Sequence, residues 1–78
     1  MKRNYIVMEQ TTLGMLYYTE EFRGSLLVWD AKLFTQQEAQ ELVRLRGLNW
    51  FMAKVNPQIL RQHKALGSPF DGPIQVER

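Results

Sequence analysis

No cysteine occurs anywhere in this 78-residue chain, so a disulfide and a thiolate metal site are both excluded. His63 is the only histidine, which leaves too few imidazoles for a histidine-rich zinc site. No apolar run approaches the roughly 20 residues that a membrane helix needs. The apolar stretch at 5–8, behind the basic Lys2 and Arg3, is far too short for a signal peptide. These absences point to a soluble, cytoplasmic protein without metal or other cofactor. Gly14, Gly24, Gly47, Gly67 and Gly72 form no phosphate-binding loop of either common type. There is no internal repeat and no low-complexity segment.

Machinery for catalysis is equally sparse. Glu20 and Glu21 are adjacent, so on extended backbone their carboxylates diverge, which is poor geometry for a paired acid and base. Ser25, His63 and Asp71 make a triad on paper only, since nothing in their flanking residues supports one. No catalytic residue is assigned, and the chain is read as a non-enzyme.

What is present suits one small globular domain spanning residues 1–78. Hydrophobic residues make up 45% of the chain and aromatics 12%, well above the composition of disordered segments. A chain of this length buries only about 60–65% of the surface its unfolded form exposes, so its stability margin is thin.

The clearest local signal runs from Ala31 to Gly47. Thr35 followed three places later by Glu38 is a capping box, in which each side chain satisfies the other's backbone N–H. Ala39, Leu42, Val43 and Arg46 then share one helical face. The acid in the first turn and Arg44 and Arg46 in the last suit the helix dipole, and Gly47 ends the helix.

Around that helix the pattern is one of strands. Residues 5–8 are β-branched and aromatic, and 10–12 form a polar break. A second strand is expected over 13–19, with Gly14 as a bulge or close-approach site. A third is expected over 25–29, stopped by Asp30. Residues 50–55 read as a fourth, with a continuing helix as the competing reading. Asn56-Pro57 opens a second helix, with Ile59, Leu60, His63 and Leu66 on one face. A turn-rich linker at 68–73 follows, then a short edge strand at 74–76. The order β-β-β-α-β-α-β is a small α+β fold, an antiparallel sheet with two helices.

Alternation along the strands splits Tyr5 from Ile6, Tyr17 from Tyr18, and Trp50 from Phe51. Both sheet faces are therefore apolar. Either one helix covers each face, or an uncovered face meets a partner protein or a second copy of the chain. Tyr, Trp and Arg are the residues enriched at binding hot spots, so Tyr17, Tyr18, Arg44, Arg46 and Trp50 are the candidate partner-binding residues.

A second reading comes from charge. Between Leu42 and Phe70 there is no Asp or Glu, while Arg44, Arg46, Lys54, Arg61 and Lys64 are all present. Cations interleaved with Trp50 and Phe51 would suit single-stranded nucleic acid, with charge to track phosphates and rings on which bases stack. A solvated basic face is the plainer account, because the net charge is only +2 and no nucleic-acid-binding motif occurs.

Residues 34–39 are similar to the first helix of helix-turn-helix and excisionase-type proteins, though no short turn and recognition helix follow. The wider layout has Tyr5-Ile6-Val7, the Tyr17-Tyr18 pair and a strand ending Val28-Trp29-Asp30. Ala31-Lys32-Leu33-Phe34-Thr35 then leads into Glu38-Ala39. This resembles small accessory proteins of bacteriophages and mobile elements over residues 5–43. That class includes anti-CRISPR and other anti-defence inhibitors. The resemblance implies a protein that occupies the surface of a host complex in the host cytoplasm, and it transfers no site residue. The mild basicity of the chain argues against an acidic DNA mimic.

Overall fold

The fold is known from a computed structural model, which describes residues 2–21, 23–66 and 75–77. It is an α+β fold built on one antiparallel sheet. The strands are β1 (Tyr5–Thr11), β2 (Gly14–Tyr18), β3 (Gly24–Ser25), β4 (Trp50–Lys54) and β5 (Gln75–Glu77). Their spatial order is β3-β2-β1-β4-β5, and every neighbouring pair is antiparallel. The helices are α1 (Gln36–Arg46) and α2 (Pro57–Leu66).

β1 is the centre of the sheet because all but its last residues are apolar on both sides. Tyr5, Ile6, Val7 and Met8 are all buried. Tyr5 and Val7 face α1 and pack with Phe34, Ala39, Val43 and Met52. Ile6 and Met8 face the other way, among Val28, Ala31, Ala53, Val55 and Leu60. One helix therefore covers each face, as the alternating apolar pattern allowed. β4 is a strand, which settles the competing helical reading, and it matches β1 with Ile6 opposite Ala53 and Val7 opposite Met52. Fully burying a side chain such as Ile6 or Val7 is worth about 1.5–3 kcal/mol.

The caps form as their residues demand. Thr35 Oγ1 accepts from the Glu38 N–H at 3.2 Å, and Glu38 Oε1 accepts from the Thr35 N–H at 3.0 Å. Asn56 Oδ1 accepts from the Gln58 N–H at 3.0 Å at the head of α2.

Three expectations are corrected. β1 runs on through Gln10 and Thr11, so only Thr12 of the expected break lies outside the strand, and the turn is Thr12-Leu13. Gly14 is neither a bulge nor a close approach. It pairs with Thr11 at the hairpin end with φ of +112°, and no atom lies within 4 Å of where its Cβ would be. The largest correction concerns residues 25–29, where strand ends at Ser25 and Val28–Asp30 form a 3-10 turn. Ser25 is the reason: its hydroxyl accepts from the Leu27 N–H and donates to Asp30 Oδ2, both at 3.1 Å. Such local side-chain bonds compete with a sheet ladder.

The segment 31–34 is then drawn between the diverging ends of β1 and β2. Phe34 and Tyr5 exchange backbone hydrogen bonds, and Lys32 N–H donates to the Tyr18 carbonyl at 2.8 Å. The expected edge strand is present as β5 on β4, one residue later than read from the sequence. Gly67, the linker at 68–73 with Asp71, Ile74 and the side chains of His63 and Leu66 lie outside the described residues.

Candidate functional site

On the α1 face three aromatic rings lie in a row. Tyr18 is central, with ring centroids 5.8 Å from Phe34 and 6.2 Å from Trp50, at tilted and edge-on angles of 60° and 63°. Each end of the row carries a cation. Lys32 Nζ lies 5.3 Å from the Phe34 centroid, and the Arg46 guanidinium carbon lies 5.4 Å from the Trp50 centroid. The topology explains the meeting: β2 and β4 flank β1 and present Tyr18 and Trp50 on one face. The bridge from segment 31–34 to Tyr5 brings Phe34 to the same face.

Beside this row a groove of about 700 Å3 runs along α1. Its apolar lining is Tyr18, Phe34, Leu42 and Leu45. Its polar lining is Arg3, Thr35, Gln37, Glu38 and Glu41. That volume falls within the range of clefts that take a drug-sized molecule or a few partner side chains. Arg3 Nη1 meets Glu38 Oε1 at 2.6 Å and Arg44 Nη2 meets Glu41 Oε1 at 2.9 Å, so the rim charges are largely paired. The Thr35 backbone N–H, reinforced by Arg3, holds the Glu38 carboxyl below its ordinary range.

Two exposed leucines flank the C-terminus of α1. Leu45 and Leu48 are 75% and 82% exposed. Leu13, in the β1–β2 turn, is also 75% exposed. It lies at the same end of the sheet, because β1 reaches the loop at 47–49 through the bond from the Gln10 N–H to the Asn49 carbonyl.

Of the candidate partner-binding residues, Tyr18, Arg46 and Trp50 come together. Arg44 lies nearby on α1 but is engaged by Glu41. Tyr17 is on the opposite face, packed against the cluster around Ile6 and Met8. The five cations of the second reading are dispersed. Arg44 and Arg46 end α1, while Lys54 ends β4 at the far end of the sheet, and Arg61 and Lys64 belong to α2 behind it. Of the two rings in that reading, Trp50 faces α1 with Arg46 over it, and Phe51 lies on the opposite face of the sheet.

Phe34, Leu45 and Leu48 are the site residues that strand and helix patterns did not single out. Leu45 carried a signal: it is apolar but out of phase with the Ala39–Val43 stripe. Among the described residues no group of three His, Asp or Glu could hold a metal ion, and no helix is long and apolar enough to cross a membrane. The Ser25 hydroxyl donates to Asp30 Oδ2. Comparison of the chain with protein-family models, with curated proteins and with solved structures returned no match.

Proposed function

We propose that this chain is a non-enzymatic protein-interaction module whose docking surface is the α1 groove together with the leucine-bearing end of the sheet. The supporting observation is that Leu45 and Leu48 stand 75% and 82% exposed beside Trp50 and Arg46. An apolar centre with an aromatic anchor and an arginine at its edge is the make-up of a protein–protein hot spot. Non-covalent occupation of a host protein complex, in the manner of phage-encoded anti-defence inhibitors, is the specific form of this function that we propose.

The test is capture of a partner from nuclease-treated bacterial lysate at low and high salt, comparing the wild-type chain with Leu45→Asp/Leu48→Asp. A stoichiometric protein retained by wild type and lost by a variant with unchanged circular dichroism is the expected result. Retention by the variant removes the leucines from the interface. Loss of all binding on nuclease treatment transfers the function to nucleic acid, and recovery of only a doubled bait mass assigns the surface to a homodimer.

A further inference from the structure

The α1 groove does not stop at the head of the helix. Two smaller clefts adjoin it, one of about 340 Å3 at the first turn of α1 and one of about 540 Å3 at the head of α2, and both are lined by Lys2, Asn4 and Lys54. They join the groove through shared residues, Arg3 in one case and Thr35 with Gln37 in the other. The charge changes abruptly along this path. Glu38 and Glu41 line the groove, whereas among the described residues no carboxylate lines either cleft. Arg3 sits at the junction with its charge engaged by Glu38, so the cationic character of the clefts rests on Lys2 and Lys54. Both lysines are exposed.

We infer that the groove and clefts form one continuous track for an extended segment of a partner protein with two chemically distinct parts. Apolar side chains of the segment fill the Tyr18, Phe34, Leu42 and Leu45 groove. Carboxylates at one end of the segment, whether acidic side chains or a chain terminus, enter between Lys2 and Lys54. Lys2 and Lys54 select this polarity, since the opposite orientation sets partner acids against Glu41 and leaves the lysines facing apolar groups. The inference rests on the docking surface proposed above and adds the chemistry and direction of what docks there.

Panning of displayed random dodecapeptides against the full chain tests it, with affinities of the winners measured by fluorescence anisotropy. Selected peptides are expected to carry apolar residues followed, toward one end, by Asp or Glu. Leu45→Asp is expected to abolish their binding, and Lys2→Glu/Lys54→Glu to weaken it about tenfold through loss of two attractive pairs and gain of repulsion. Circular dichroism of each variant excludes unfolding. Peptides that depend on Leu45 but show no acidic preference and bind the lysine variant equally well overturn the inference and leave the docking surface standing. Failure to select any peptide overturns both. A single-stranded oligonucleotide that displaces the peptides and loses binding in the lysine variant assigns the clefts to nucleic acid and overturns the inference.

Discussion

The guanidinium of Arg46, the last residue of α1, lies 5.4 Å from the ring centroid of Trp50, the first residue of β4. Helix and strand are thereby locked across a tight connection in which the Trp50 N–H donates to the Gly47 carbonyl at 3.2 Å. In a Trp29→Phe background, where Trp50 is the only indole, Arg46→Ala is expected to shift the fluorescence emission to the red as water reaches the ring. The lost cation–π contact should cost about 0.5–1 kcal/mol in a denaturant titration.

The capping box gives a cleaner measurement. Thr35→Ala removes the acceptor for the Glu38 N–H and is expected to lower stability by about 1 kcal/mol. Urea denaturation of the variant against wild type reads this directly.

Glu38 adds a dependence on pH. Its folded-state carboxyl is held below the ordinary value by the Thr35 N–H and Arg3, so the unfolded chain takes up that proton first on acidification. The contribution is therefore complete above the ordinary carboxylate range and is lost as pH falls through the lowered folded value. Glu38→Gln should be destabilised at neutral pH, with the gap to wild type closing under acid conditions. A gap that is constant with pH would contradict the assignment.

Two glycines separate backbone strain from crowding. Gly14 has φ of +112° and open space where a Cβ would go, whereas a Cβ on Gly24 would meet the Leu16 side chain at 3.0 Å. Gly14→Ala is expected to cost about 1 kcal/mol or more through the unfavourable φ alone. Gly24→Ala should also lower stability, here through crowding alone, because the Leu16 Cβ at 3.0 Å is fixed by the backbone and cannot rotate away. Thermal melts of the two variants give the comparison.

In the core, Ile6→Val removes one methylene from a fully buried side chain. The expected loss is about 0.5–1.5 kcal/mol, measurable in the same denaturant series.

Much of this fold was legible in the sequence because its signals are local. Thr35 with Glu38, Asn56 with Pro57, and the apolar phase of residues 39–43 each depend on neighbours within a turn or two of helix. That both sheet faces are apolar followed from alternation in residues 5–8 and 50–55, whereas the spatial order of the strands and the cover of each face rest on long-range pairing. What failed was the stretch at 25–29, where apolar content argued for strand and a single serine hydroxyl redirected the backbone. The site was less legible than the fold. Tyr18, Arg46 and Trp50 were singled out as residue types, but their meeting depends on long-range register. Phe34 joins them only because segment 31–34 is pulled against Tyr5. Tyr17 was singled out by residue type as well, and the same alternation that split it from Tyr18 sends it to the other face.

The central position of β1 has a consequence for how the chain emerges during synthesis. Its partner on one side, β2, follows within a few residues, but its partner on the other, β4, aligns Ala53 with Ile6. Until residues 50–54 have left the ribosome, one flank of β1 has no strand to pair with and Ile6, Val7 and Met8 lack part of their cover. Nascent chains are thus open to association with one another over most of their translation.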